Sequence, residues 1–102
     1  MKAVTLLIRG KLYRTGFRFY TVEKAVQSGI KGFVKYTAAH DILIHAEGEP
    51  EQIESFLKWC RSGYPSCRVY DIEITDCDVE GHTTFEMIEE PDALPVSSKA
   101  AK

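Results

Sequence analysis

Apolar and polar positions along the chain fall into two rhythms, one suited to strands and one to helices. Residues 4–8 (Val-Thr-Leu-Leu-Ile) form a short apolar run that predicts a buried first strand ended by Gly10. Phe19, Val22 and Val26, followed by Gly29, predict a helix from about residue 18 to 28 with those side chains inward and Gly29 as its stop. Residues 30–37 are rich in Ile, Phe, Val and Tyr and predict a second strand; 38–40 turn the chain into a third, 42–47, so the two make a hairpin. The second helix has the clearest pattern. Pro50 suits a first helical position, Glu51 and Glu54 lie near the positive end, and Ile53, Phe56, Leu57 and Cys60 follow the i, i+3, i+4, i+7 spacing of one buried face. Gly63 and Pro65 should end it. A fourth strand is expected at 69–74 and a short terminal one at 83–88. The order β-α-β-β-α-β, with one extra strand, predicts an α+β ferredoxin-like sandwich: an antiparallel sheet with two helices on one face. Residues 1–90 then form the domain, and 91–102, with two prolines and small residues, are expected to be a disordered tail.

Length and composition narrow the class. A chain of 102 residues suffices for one domain, and 44% hydrophobic with 27% charged residues excludes a disordered chain or a disulfide-framework miniprotein. The net charge of −2 conceals an uneven distribution. Residues 1–40 carry eight Lys or Arg and one acid, Glu23, a net +7; residues 41–102 carry five basic groups and fourteen acids, a net −9. No apolar run approaches the roughly 20 residues that span a bilayer, and residues 4–8 are too short for a secretion signal, so a cytoplasmic protein with no membrane partner is expected. Cys60, Cys67 and Cys77 form no C-x-x-C pair and read as reduced thiols, with Cys60 on a buried helix face. His40, His45 and His82 lack metal-site spacing, so they read as surface or turn residues and no structural metal is expected.

Candidate chemistry concentrates between the first strand and the first helix, where Gly10, Lys11, Arg14, Gly16 and Arg18 fall together. A helix N-terminus is partly positive, so cations there are disfavoured by about 0.3–1 kcal/mol unless an anion sits between them and the helix. Glycines let backbone N–H groups converge, and a guanidinium offers paired donors that match two phosphate oxygens. The plain alternative is a glycine-containing turn with two solvated arginines.

Residues 10–18, GKLYRTGFR, resemble the acylphosphatase signature, commonly G-x-V-Q-G-V-G-F-R. The resemblance continues without a gap through residues 29–37, GIKGFVKYT, similar to the family's G-[LIV]-x-G-[WF]-V-[RK]-N-T, and reaches Phe85, covering about residues 4–88. It implies hydrolysis of carboxyl-phosphate anhydrides to a carboxylate and inorganic phosphate, with no metal or other cofactor. It also implies that Arg18 and the amides of Tyr13, Arg14, Thr15, Gly16, Phe17 and Arg18 hold the phosphoryl group. Such transfer needs positioning and charge neutralisation more than covalent chemistry. Two positions depart from the family pattern. The water-orienting asparagine falls at Tyr36, and the chain contains no asparagine at all. Arg14 replaces the first loop glycine, so a family-like loop would place it at positive φ, at a cost of roughly 1–2 kcal/mol.

Three functional readings follow. The first is an acylphosphatase-like hydrolase, with Arg18 and Tyr36 as catalytic residues and activity weakened or lost because Tyr36 replaces the asparagine. The second is a noncatalytic relative that binds a small phosphorylated metabolite or inorganic phosphate or sulfate through Arg14 and Arg18. The third, an RNA-binding module, ranks last. Residues 31–36, KGFVKY, are similar to a basic-aromatic RNA-binding strand but sit on the wrong strand for it; Phe33 is expected in the core, and the −9 remainder opposes a polyanion. No nucleic-acid partner and a monomer are expected.

Overall fold

The structure, a computed structural model, describes residues 1–62 and 68–89. Its elements are β1 (Lys2–Lys11), α1 (Phe17–Ser28), β2 (Lys31–Tyr36), β3 (Ile42–Gly48), α2 (Pro50–Ser62), β4 (Arg68–Cys77) and β5 (Phe85–Ile88). They build one five-stranded sheet in the order β4-β1-β3-β2-β5. The ferredoxin-like arrangement holds, with one refinement: β5 joins β2 in parallel, so the sheet is mixed. The expected end of α2 at Gly63 and Pro65, Cys67, and the tail 91–102 lie outside the described residues.

Strand alternation sorts the sheet into two faces. Val4, Leu6 and Ile8 of β1 pair with Ala46, Ile44 and Ile42 of β3, and all six are buried in the core with Ile53, Phe56, Leu57 and Cys60 of α2. The α2 face is thus the one its spacing predicts. Burial also pushes the Cys60 thiol up to about 12, which keeps it neutral and unreactive.

Four details differ from the expectations. Gly10 does not end β1; the strand runs through it to Lys11, with a register shift against β4 between Arg9 and Gly10. Helix α1 buries Phe17, Thr21 and Ala25, while Phe19 and Val26 are exposed. Thr21 can face the core because its hydroxyl donates to the Phe17 carbonyl at 2.7 Å, which satisfies it locally. Phe33 is only half-buried, outside the core, because it alternates with buried Gly32 and Val34 and shares its register with His45. Finally, His45 is not at the surface: on the same face as Glu47, it is buried under the segment that crosses from β4 to β5.

Gly32 fixes where these strands meet. Its φ is 136°, its amide donates to the Thr84 carbonyl at 2.9 Å, and a Cβ placed there would lie 1.8 Å from the His45 carbonyl oxygen. Only glycine permits that approach.

Candidate functional site

The turn from β1 into α1 gathers the residues singled out in the sequence. Gly16 (φ 85°) caps α1, and Arg14 takes φ 62°, the left-handed conformation that glycine would adopt freely. The Thr15 side chain tightens the turn: its hydroxyl donates to the Leu12 carbonyl at 2.6 Å and accepts the Phe17 amide at 3.3 Å. The Phe17 side chain is fully buried and anchors the helix start against Trp59 of α2, ring centroids 5.7 Å apart. Arg18 is therefore the second helical residue, and no acid occupies the first turn of α1. The amides of Arg18 and Phe19 belong to that first turn, which supplies no intrahelical acceptor for them.

Tyr36, the last residue of β2, reaches this turn from the sheet. Its hydroxyl oxygen accepts the Arg14 amide at 3.0 Å, and the Arg18 guanidinium lies 4.1 Å above its ring. Arg18 is largely enclosed, and its Nη1 is buried without a hydrogen-bond partner among the described residues. It lies 3.5 Å from the Glu89 carboxylate, an ion pair too long to satisfy the nitrogen. Tyr13 is exposed, stacked on His40 at 3.9 Å and tilted against Tyr36 at 5.0 Å. Two neighbouring cavities share Arg14, Arg18 and Tyr36. One, of about 230 Å³, adds Gly16 and Phe19; the other, of about 310 Å³, adds Tyr13, His40 and Glu89. Tyr13, Arg14, Gly16, Arg18 and Tyr36 are thus brought together around these cavities. The amides of Arg14, Thr15 and Phe17, by contrast, are already engaged by the Tyr36 hydroxyl, the Leu12 carbonyl and the Thr15 hydroxyl, and the Phe17 side chain belongs to the core.

Phe19, His40 and Glu89 were not anticipated at this place. Phe19 carried the signal of a core residue, and His40 that of a turn. Glu89 arrives because β5 runs parallel to β2, with Ile88 beside Lys35, so the chain leaves β5 next to Tyr36. No local pattern encodes that pairing.

A family model described as Acylphosphatase matches residues 4–87, which includes the whole β1–α1 turn and Tyr36. The chain belongs to the acylphosphatase family. It is 36% identical over 87 residues to an acylphosphatase of Methanocella arvoryzae, covering 85% of this chain and 99% of that relative. A second relative, an acylphosphatase of Archaeoglobus fulgidus, is 32% identical over 87 residues, covering 85% and 98%. Among solved structures, acylphosphatase from Bacillus subtilis superposes with a TM-score of 0.83 at 28% identity, covering 86% of this chain and 99% of the other. Family membership thus embraces the described domain from β1 to β5 rather than one motif. Among the described residues, no helix is long and apolar enough to cross a membrane.

A second polar cluster lies at the other end of the β2–β3 hairpin. Glu47 is buried, and its carboxylate accepts His45 Nε2 at 2.7 Å and the amides of Glu80 and His82 at 2.5 and 3.1 Å. Burial opposes its ionisation, but the hydrogen bonds from His45 and the two amides outweigh that and hold the carboxyl down at about 2, from an ordinary 4.5. His45 and His82, isolated in sequence, have their rings 5.1 Å apart.

Proposed function

We propose that this chain is a hydrolase of carboxyl-phosphate anhydrides that holds the phosphoryl group with Arg18 and the first-turn amides and whose water-orienting position is altered. The buried Nη1 of Arg18, which lacks a hydrogen-bond partner among the described residues and belongs to a side chain lining both cavities, carries the reading. A guanidinium nitrogen held away from solvent at a helix N-terminus is costly unless a ligand completes it, and a phosphoryl group supplies both the charge and the acceptors. The ligand class is a small phosphorylated metabolite, with inorganic phosphate as product and sulfate as a mimic. Arg18 and the first-turn amides neutralise the oxygen charge of the transition state, and the carboxylate leaving group needs no strong acid.

Tyr36 decides how fast the reaction runs. Its hydroxyl already accepts the Arg14 amide, which takes one amide out of the cradle and leaves the phenol a single hydrogen to donate. An asparagine would present a carbonyl to a water and an NH₂ to the substrate. Tyr36 donates from a rigid ring instead, so water is held less well and turnover is slow. Misplacement by about 1 Å costs on the order of 10²-fold. The Arg14–Tyr36 bond and the Glu89 carboxylate near Arg18 also favour a second reading, a relative that binds phosphate or sulfate without hydrolysis. An aryl acyl phosphate assay separates the two. Hydrolysis in the native chain that disappears in Arg18→Ala supports the enzyme. A silent native chain revived by Tyr36→Asn identifies a binding cradle lacking its water-holder, and silence in every protein refutes the hydrolase.

A further inference from the structure

The His45–Glu47 cluster contains more than its evident role requires. The chain leaves β4 at one edge of the sheet and must cross its open face to reach β5 at the other edge. Glu47 pins that crossing by accepting the amides of Glu80 and His82. Such a pin is complete with one carboxylate. Yet residues two apart on β3, His45 and Glu47, meet residues two apart on the crossing segment, Glu80 and His82, and all four side chains turn their donor atoms to one point. One ligand atom from each lies within 4.8 Å of the other three. We infer that these four residues form a binding site for a divalent transition-metal ion of the zinc type, which staples the β4–β5 crossing to the sheet.

The spacing supports the assignment. Donors arranged tetrahedrally at zinc bond lengths lie about 3.4 Å from one another. Here His45 Nε2 is 2.7 Å from Glu47 and 3.8 Å from Glu80, and His82 Nε2 is 2.9 Å from Glu80. Movements below about 1 Å convert these contacts into a shell around one ion. Charge balances too, since two neutral imidazoles and two carboxylates offset a divalent cation. Each Nε2 now shares a hydrogen with a carboxylate; on binding, each ring keeps one hydrogen by carrying it on Nδ1 instead, and the ion takes the place between Nε2 and the carboxylates.

Donor type and surroundings select the metal class. Two imidazoles with two carboxylates suit zinc and its first-row neighbours, whereas magnesium and calcium prefer shells of oxygen alone. The Phe33 ring stacks on His45 at 5.6 Å and meets His82 edge-on at 5.8 Å, which walls one side with apolar surface. On the far side of His45, Nδ1 lies 3.6 Å from Cys77 Sγ, itself hydrogen-bonded by Thr5. A partner at Nδ1 fixes the ring and its tautomer, the usual task of an outer contact at a metal-bound histidine.

Calorimetry of the chelator-treated, desalted protein with zinc chloride tests the site. One ion should bind with a micromolar or tighter Kd, Tm should rise with zinc concentration, and magnesium should produce neither effect. His82→Ala and Glu80→Gln keep Glu47 and both pinned amides, so they fold, as circular dichroism will verify. Each should weaken zinc binding at least 10-fold, while Cys77→Ser should leave most of the affinity. Cobalt bound in place of zinc should show the visible absorption of a tetrahedral site. The inference fails if the native protein binds no zinc at 100 µM. It fails equally if His82→Ala and Glu80→Gln bind as tightly as the native chain, or if Cys77→Ser alone abolishes binding. The outcome does not depend on whether the chain hydrolyses acyl phosphates.

Discussion

At the turn end of the β2–β3 hairpin, Arg14 and Arg18 crowd around Tyr36; at its open end, Glu47 is enclosed by His45 and the amides of Glu80 and His82. Both clusters are polar, and both are partly or wholly shielded from water. They differ in what is left over. Around Arg18 there are more donors than acceptors, and one buried guanidinium nitrogen has no hydrogen-bond partner among the described residues. Around Glu47 three donors still leave lone-pair capacity, and with the lone pairs of Glu80 and two imidazoles the acceptors are in excess. The surplus a fold leaves in each place indicates the ligand that would complete it: an anion in the first, a cation in the second.

The sharpest way to break this contrast is to remove one member from each side. Arg18→Ala should lower aryl acyl phosphate turnover by about 10²–10³-fold, the usual loss for one transition-state donor. His82→Ala should leave turnover within about twofold, because that residue belongs to the other cluster. Equal losses in the two variants, measured side by side, would mean that the clusters are not independent.

Next in size is the stability stored at Glu47. Glu47→Gln should destabilise the fold by roughly 2–4 kcal/mol near neutral pH in denaturant titrations, since it weakens three hydrogen bonds made by a buried carboxylate. The same carboxyl sets an acid limit. Its value is lowered on folding from 4.5 to about 2, so its contribution is complete above about pH 4.5 and is lost as pH falls toward 2. With chelator present, the native chain should lose roughly 3 kcal/mol across that window, and Glu47→Gln should lose much less.

Tyr36 provides a finer comparison within the first cluster. Tyr36→Asn should raise turnover by roughly 10- to 100-fold, on the scale of about 1 Å in water placement. Tyr36→Phe frees the Arg14 amide and removes the hydroxyl, so phosphate affinity should hold while turnover falls. The smallest effect concerns backbone strain. Arg14→Gly relieves φ 62° and loosens the unfolded chain, for a net gain of about 0.5–1 kcal/mol, read as a few degrees in Tm.

Much of the first cluster was legible in the sequence, and little of the second. The 10–18 motif lies within one turn, so residues near in sequence are near in space, and the helix-end charge of Arg18 could be weighed directly. Helix α2 was equally plain because its apolar spacing and its buried face coincide. Helix α1 misled because Phe19 was read as core when it lines the cavity, and because Thr21 hides in the core by bonding its own helix. The Glu47 cluster depends on the crossing from β4 to β5, which brings residues 45 and 82 together through a connection no local pattern specifies. Glu89 depends on the parallel pairing of β5 for the same reason.

Whether the β1–α1 turn is an anion cradle can be settled by titrating inorganic phosphate into the isotope-labelled protein and following the amide resonances. Saturable shifts should concentrate in residues 13–19, with the Arg18 side chain among them, and should be lost in Arg18→Ala. Shifts scattered over the surface, or unchanged by Arg18→Ala, would contradict the cradle.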